Sequence, residues 1–121
     1  MWSKWKNKNV FISWSGWEGW VYAQLFRRLF EKLFGQERVK VFVSADINPG
    51  AGYFEVIKHN LKVADLGLIL LNNAARESPW VGYELGKLEK PTHAEVVPVV
   101  VNDKTELEGS VFSHLQFIYL E

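Results

Sequence analysis

The sequence contains no cysteine among its 121 residues. Disulfide bonds, thiol nucleophiles and thiolate metal sites are therefore excluded. The lack of disulfides fits a cytoplasmic protein. The histidines His59, His93 and His114 are scattered and show no metal-ligand spacing, so we expect no metal site. No serine, histidine and acid set typical of nucleophilic hydrolases stands out either.

Long hydrophobic runs and an excess of either charge are also missing. The longest apolar run, residues 66–71, is too short to span a bilayer, and the N-terminus lacks the apolar segment of a signal peptide. We therefore expect a cytoplasmic protein without membrane contact. Fourteen basic residues balance fourteen acidic ones, which argues against nucleic acid as a direct partner.

Two common nucleotide-binding motifs are absent. There is no G-x-x-x-x-G-K-[ST] phosphate loop, and residues 14–17 hold one glycine where a dinucleotide fingerprint needs several. A phosphoacceptor receiver domain needs acidic residues after its first strand and an acceptor aspartate after its third. This chain has Ser13 and Asn72 near those positions.

What the chain does contain is an alternation of apolar runs and amphipathic segments. The runs predict strands at residues 9–13, 39–43, 66–71, 95–101 and 116–120, with Pro98 inside the fourth. Helices are predicted at residues 18–34, 54–64 and 79–89, a loop at 72–77 and one helical turn at 111–114. The apolar face of the first helix is expected to comprise Tyr22, Leu25, Phe26, Leu29 and Leu33.

This order predicts an α/β fold of the flavodoxin-like, doubly wound class. We expect a five-stranded parallel sheet in the order 2-1-3-4-5 with helices on both faces. With 48% hydrophobic residues, the chain can bury one core, so residues 1–121 should form a single domain. The sequence stops after the fifth strand, where such folds usually add a closing helix, and we expect a domain excised from a longer chain.

Polar residues follow the predicted strands at the edge where such folds bind ligands. They are Ser13, Trp14 and Ser15 after the first strand, Ser44 and Asp46 after the second, and Asn72 and Asn73 after the third. The helix at 79–89 begins from the same side, with Ser78 as N-cap and Pro79 at its first position.

In that last helix, Val81, Leu85 and Leu88 form the expected core stripe, and Trp80 and Glu84 lie one turn apart on a neighbouring face. A single carboxylate suits cleavage of an N-glycosidic bond to a cationic base, because it can orient the ribose and stabilise an oxocarbenium-like transition state. The other interpretation is a solvated Glu84 beside a core Trp80. Spacing alone leaves both open.

Several segments, in order, resemble the characteristic boxes of TIR domains, particularly bacterial ones. Residues 10–16 resemble the first-strand box, and residues 41–50 the second strand with its BB loop, including Asp-Ile and Pro-Gly pairs. Residues 64–71 resemble the third-strand segment, residues 78–86 the Ser-x-Trp-x-x-x-Glu-Leu box, and residues 96–100 the fourth strand with its proline.

The resemblance implies NAD+ glycohydrolase activity, with NAD+ as a consumed substrate and no recycled cofactor. It maps the catalytic glutamate to Glu84 and places Trp80 beside the nicotinamide or ribose. Trp14 stands where the family often has a smaller or more polar residue, which alters the pocket shape. The implied substrate-binding residues are Ser13, Trp14, Ser15, Ser44, Asp46, Asn48 and Trp80.

The resemblance also implies partners. The BB loop, here residues 45–52, would gate the pocket and mediate head-to-tail assembly with other TIR domains, and a fused or associated sensor would drive it. The expected function is that of an effector of bacterial anti-phage defence, releasing nicotinamide with ADP-ribose or a cyclised isomer. The alternatives are a non-catalytic TIR–TIR scaffold and a nucleoside 2-deoxyribosyltransferase-like enzyme.

Overall fold

A computed structural model describes residues 7–45, 51–89 and 94–102, and residues 105–106, 108–110, 112, 114, 116 and 118–120. Its centre is one five-stranded sheet in the order β2-β1-β3-β4-β5. All pairings are parallel, which confirms the predicted fold class. The strands are β1 (Lys8–Ser13), β2 (Val39–Val43), β3 (Leu66–Leu71), β4 (Glu95–Val100) and β5 (Ile118–Tyr119).

The helices that connect these strands are α1 (Gly16–Phe34), α2 (Ala51–Val63), α3 (Asn73–Arg76) and α4 (Pro79–Glu89). The short helix α3 corrects the loop expected at 72–77. It forms because the Asn72 side chain accepts a hydrogen bond from the backbone N–H of Ala75 at 2.8 Å and so caps the first turn. Of the helical turn predicted at 111–114, residues 111 and 113 lie outside the described part of the chain.

Each face of the sheet carries its own hydrophobic core, because side chains along a strand alternate between the two faces. Phe11 faces α2 and α4, together with Ile57, Ile69 and Leu85. Val10 and Ile12 face α1, where their buried neighbours are Ala23, Val39, Leu68, Leu70, Val99 and Val101. The parity of a strand residue therefore decides which helices its side chain meets.

The packing face of α1 differs from the expected one. Tyr22 and Phe26 pack against the sheet as predicted, but Leu25, Leu29 and Leu33 are exposed. Ala23, Phe30 and Phe34 take their place. The helix carries apolar residues around most of its circumference, so periodicity alone did not define one buried face.

Pro98 lies inside β4 and pairs in register with Ile69 of β3. The backbone N–H groups of Glu95 and Val101 point towards β3. Successive backbone nitrogens of a strand face opposite neighbours, so the nitrogen of residue 98 faces away from β3. On that side the described register with β5 begins only at Val99. The missing N–H of the proline therefore leaves the pairing with β3 intact.

Candidate functional site

The ends of β1 and β2 deliver two hydroxyl groups to the same face of the sheet. Phe11 and Phe42 pack into the core beneath α2 and α4, and Ser13 and Ser44 follow each of them two residues later. Strand alternation therefore turns both serines towards α4. Both side chains are buried.

The Glu84 carboxylate receives these hydroxyls. Ser13 Oγ donates to Glu84 Oε1 at 2.6 Å, and Ser44 Oγ donates to Glu84 Oε2. Glu84 is 0% exposed. We call these three residues the serine–glutamate cluster; it joins β1, β2 and α4 at the carboxyl edge of the sheet.

Glu84 is buried with the core residues of α4, whereas the sequence pattern placed it on a neighbouring face of the helix. Counted from Val81, positions i, i+3, i+4 and i+7 are Val81, Glu84, Leu85 and Leu88, and all four are buried. Glu84 is thus part of the inward face of α4. A buried carboxylate is costly without donors, and the two hydroxyl groups provide short, charge-assisted bonds of the kind that offset this cost.

Helix α4 starts as the sequence predicted. Ser78 Oγ accepts a hydrogen bond from the N–H of Val81 at 3.2 Å, and Pro79 is the first helical residue. This cap fixes where α4 begins relative to the strand ends. Glu84 follows in the second turn, level with the two serines.

Trp14 belongs to the opposite face of the sheet. Its ring packs against the core beneath α1, and its Nε1–H donates to the backbone oxygen of Ser44 at 2.6 Å. The structure therefore brings Trp14 to the backbone of a cluster residue rather than to the carboxylate.

Ser15 is buried at the junction of β1 and α1, where its carbonyl accepts a hydrogen bond from Asn72 Nδ2 at 3.0 Å. The next residue, Gly16, has a φ of 76°, and a Cβ there would lie 2.9 Å from Ala74 Cβ. Glycine is thus required for this turn. Sequence analysis placed Asn72 at the ligand edge, whereas here it caps α3 and ties the β1–α1 turn to it.

Trp80 is part of an aromatic group on α2 and α4. Its ring stacks on Tyr83 with centroids 5.1 Å apart and lies 5.6 Å from Phe54. Its indole nitrogen is buried and has no hydrogen-bond partner among the described residues. Sequence analysis did not single out Tyr83 or Phe54, although Tyr83 lies one turn from Trp80 and could have been found by that spacing.

The remaining predicted residues cannot be placed in this arrangement. Asp46 and Asn48 lie outside the described residues, as does most of the predicted BB loop. Within the described part of the chain, no group of three or more acidic or histidine side chains could hold a metal ion. No described helix is long and apolar enough to cross a membrane.

Comparison with known proteins agrees with this architecture. A family model described as TIR domain matches residues 10–121. The TIR domains of the activated Roq1 resistosome, which directly recognises the pathogen effector XopQ, superpose with a TM-score of 0.59 at 19% identity. That match covers 78% of this chain and 58% of the Roq1 chain, so this chain spans little more than half of the length of the Roq1 chain. No curated protein matches significantly. The extent of the family match shows that this chain belongs to the TIR domain family.

Proposed function

We propose that this domain cleaves the bond between nicotinamide and ribose in NAD+, with Glu84 as the catalytic carboxylate. The observation that carries the proposal is the serine–glutamate cluster at the carboxyl edge of the sheet. Ligands of doubly wound folds bind at that edge, and a carboxylate held there by hydroxyl donors is suited to accept hydrogen bonds from the hydroxyl groups of a ribose as well.

The reaction needs little acid catalysis. The glycosidic bond breaks with its electron pair moving to the cationic nicotinamide nitrogen, which leaves as the neutral base. Positive charge then develops on the ribose, where a nearby carboxylate stabilises it. Water adds to the anomeric carbon and loses a proton, giving ADP-ribose; attack by a group of the same molecule gives a cyclised isomer.

Substrate access requires a change in the cluster, because the carboxylate is fully buried. Ser13 lies within β1, whereas Ser44 follows the last residue of β2 and is followed closely by the predicted BB loop. Each carboxylate oxygen can accept a second hydrogen bond, so we expect a ribose hydroxyl to bond to Glu84 when that loop moves, while both serine hydroxyls stay in place. NAD+ is then a substrate, and no recycled cofactor is needed.

Assembly is the proposed control of this step. We propose that contacts with other TIR domains through residues 45–52, driven by a fused or associated sensor, open the cluster to substrate. In a bacterial cell, the resulting loss of NAD+ would act as an anti-phage effector response.

The test is incubation of the concentrated protein, or of a fusion that clusters it, with NAD+, followed by identification of products by mass spectrometry. Release of nicotinamide with ADP-ribose or its cyclised isomer supports the proposal. Intact NAD+ after prolonged incubation of a folded, clustered protein contradicts it.

One observation favours a second function, a non-catalytic TIR–TIR scaffold. Glu84 is completely buried and both of its oxygens are bound, which is also what a structural carboxylate requires. A scaffold would assemble without consuming NAD+, so the same incubation separates the two functions.

A further inference from the structure

Hydrogen bonds from its backbone and its side chain hold Ser44 just beyond the end of β2. Its N–H donates to the Ile12 oxygen at 3.0 Å, and its own carbonyl accepts from Trp14 Nε1 at 2.6 Å. Its hydroxyl donates to Glu84. Two of these bonds thus hold the backbone of Ser44 against β1, and the third uses the side chain on the carboxylate.

The backbone bonds lie where regular strand pairing ends. The described register between β1 and β2 ends with Ile12 opposite Val43, so Ser44 is the first residue past the register. The bond from Trp14 is made to the carbonyl oxygen of Ser44. The residue that carries this hydroxyl is thus bonded to a side chain from the other face of the sheet.

We propose that Trp14 is a positioning residue for Glu84 and acts through Ser44. The Nε1–H group holds the Ser44 peptide so that its hydroxyl faces Oε2 of Glu84. Without that bond the Ser44 backbone is held to β1 by its N–H bond to Ile12 but not through its carbonyl, and the carboxylate loses part of the alignment that this hydroxyl provides. The inference rests on the proposed function for its effect on rate, but its structural part stands on the contacts alone.

A purely structural role for Trp14 makes a different prediction. The ring packs in the core beneath α1, close to Gly19, where an added Cβ would lie 3.5 Å from Trp14 Cβ. If Trp14 acted only through this packing, its replacement would lower stability by an amount independent of Ser44. If it acts through the Ser44 peptide, the effects of changing the two residues overlap.

The experiment is a double-mutant cycle of Trp14→Phe and Ser44→Ala in the clustered protein. Phenylalanine keeps an aromatic ring and removes the N–H. We expect Trp14→Phe to lower kcat roughly tenfold, as loss of one oriented hydrogen bond does, with KM changed much less. In the Ser44→Ala background the same change should have almost no further effect on kcat. Equal losses of kcat in both backgrounds would overturn the proposal.

A second readout does not depend on catalysis. Carbodiimide coupling of an amine to carboxyl groups, followed by mass spectrometry, reports how accessible Glu84 is. Labelling of Glu84 should rise severalfold in Trp14→Phe over wild type, and should be equal in Ser44→Ala with or without Trp14→Phe. Trp20→Phe is the control, because it also removes an indole N–H. Trp20 lies on α1 at a partly exposed position.

These outcomes separate the inference from the proposed function. If the clustered wild type leaves NAD+ intact, the proposed function fails, and the labelling cycle still tests the link between Trp14, Ser44 and Glu84. If NAD+ is cleaved but Trp14→Phe changes neither kcat nor labelling, the function stands and the role of Trp14 is refuted.

Discussion

At the scale of single residues, the decisive feature is a carboxylate buried with a hydroxyl donor on each oxygen. Loss of a donor from a buried charged group costs more than loss of an ordinary hydrogen bond, because desolvation of the charge is then less well compensated. The serine–glutamate cluster is therefore expected to contribute to stability as well as to chemistry.

Removing the donors tests this directly. We expect Ser13→Ala to lower the free energy of unfolding by about 1.5–3 kcal/mol, measured by urea denaturation, and Ser44→Ala to lower it in the same range. The triple change Ser13→Ala, Ser44→Ala and Glu84→Leu removes acceptor and donors together. It should be more stable than the double serine variant, and a lower stability would contradict the account.

Sequence could anticipate the members of this cluster but not their contacts. Strand periodicity put Ser13 and Ser44 at the same edge, and helix spacing put Glu84 on a helix that starts there. That the hydroxyls bond to the carboxylate depends on the parallel register of β1 and β2, which brings Ile12 opposite Val43. The hydrogen bond from the Trp14 indole to the backbone oxygen of Ser44 could not be predicted, because nothing in the local sequence shows that the ring reaches the residue after β2.

At the scale of elements, the close approach of α4 to β3 positions Glu84. It depends on Gly67 of β3, because a Cβ there would lie 2.7 Å from Leu88 Cδ1 and 3.3 Å from Leu88 Cγ. Leu88 is itself buried, so it has little room to move. We therefore expect a side chain at position 67 to displace Leu88, and with it α4 and its carboxylate.

A pair of glycine substitutions tests this packing. We expect Gly67→Ala to destabilise the protein by about 1–3 kcal/mol through overpacking, and to lower NAD+ cleavage as well. Gly86→Ala on the same helix is the matched control, because among the described residues no atom beyond its chain neighbours and its own helix backbone lies within 4 Å of the added Cβ. It should raise stability by roughly 0.5–1 kcal/mol through helix propensity. Thermal unfolding of both variants gives the comparison, and equal shifts would refute it.

The elements also show why some sequence expectations were wrong. Strands β1 to β4 were predicted closely, because buried parallel strands give continuous apolar runs with little ambiguity. The packing face of α1 was predicted only in part. Leu25, Leu29 and Leu33 fit a helical stripe, and the aromatic residues that pack against the sheet fit one equally well. Residues 73–76 were predicted as part of a loop, although an asparagine pair before Ala74 and Ala75 is a capping signal for helix α3.

At the scale of the whole molecule, the domain combines a parallel sheet with a carboxyl edge at which Glu84 is fully buried. Opening this edge costs free energy, and binding between copies can supply it, because a partner that binds only the open state shifts the population towards it. The isolated domain should therefore be less active than the assembled one.

We expect the rate of NAD+ cleavage per molecule to rise with protein concentration and to rise further when the domain is fused to a clustering module. The measurement is nicotinamide release at a series of concentrations, with oligomer size followed by light scattering. A rate per molecule that stays constant while oligomers form would contradict assembly control.

The central claim is that Glu84 performs the chemistry, and comparison of clustered wild type with Glu84→Gln tests it most directly. Glutamine keeps the size of the side chain and can still accept a hydroxyl hydrogen bond, so the variant should remain folded by circular dichroism. We predict that its nicotinamide release falls by roughly 100-fold or more, because the charge that stabilises the ribose transition state is gone. Release by folded Glu84→Gln at the wild-type rate would contradict the account.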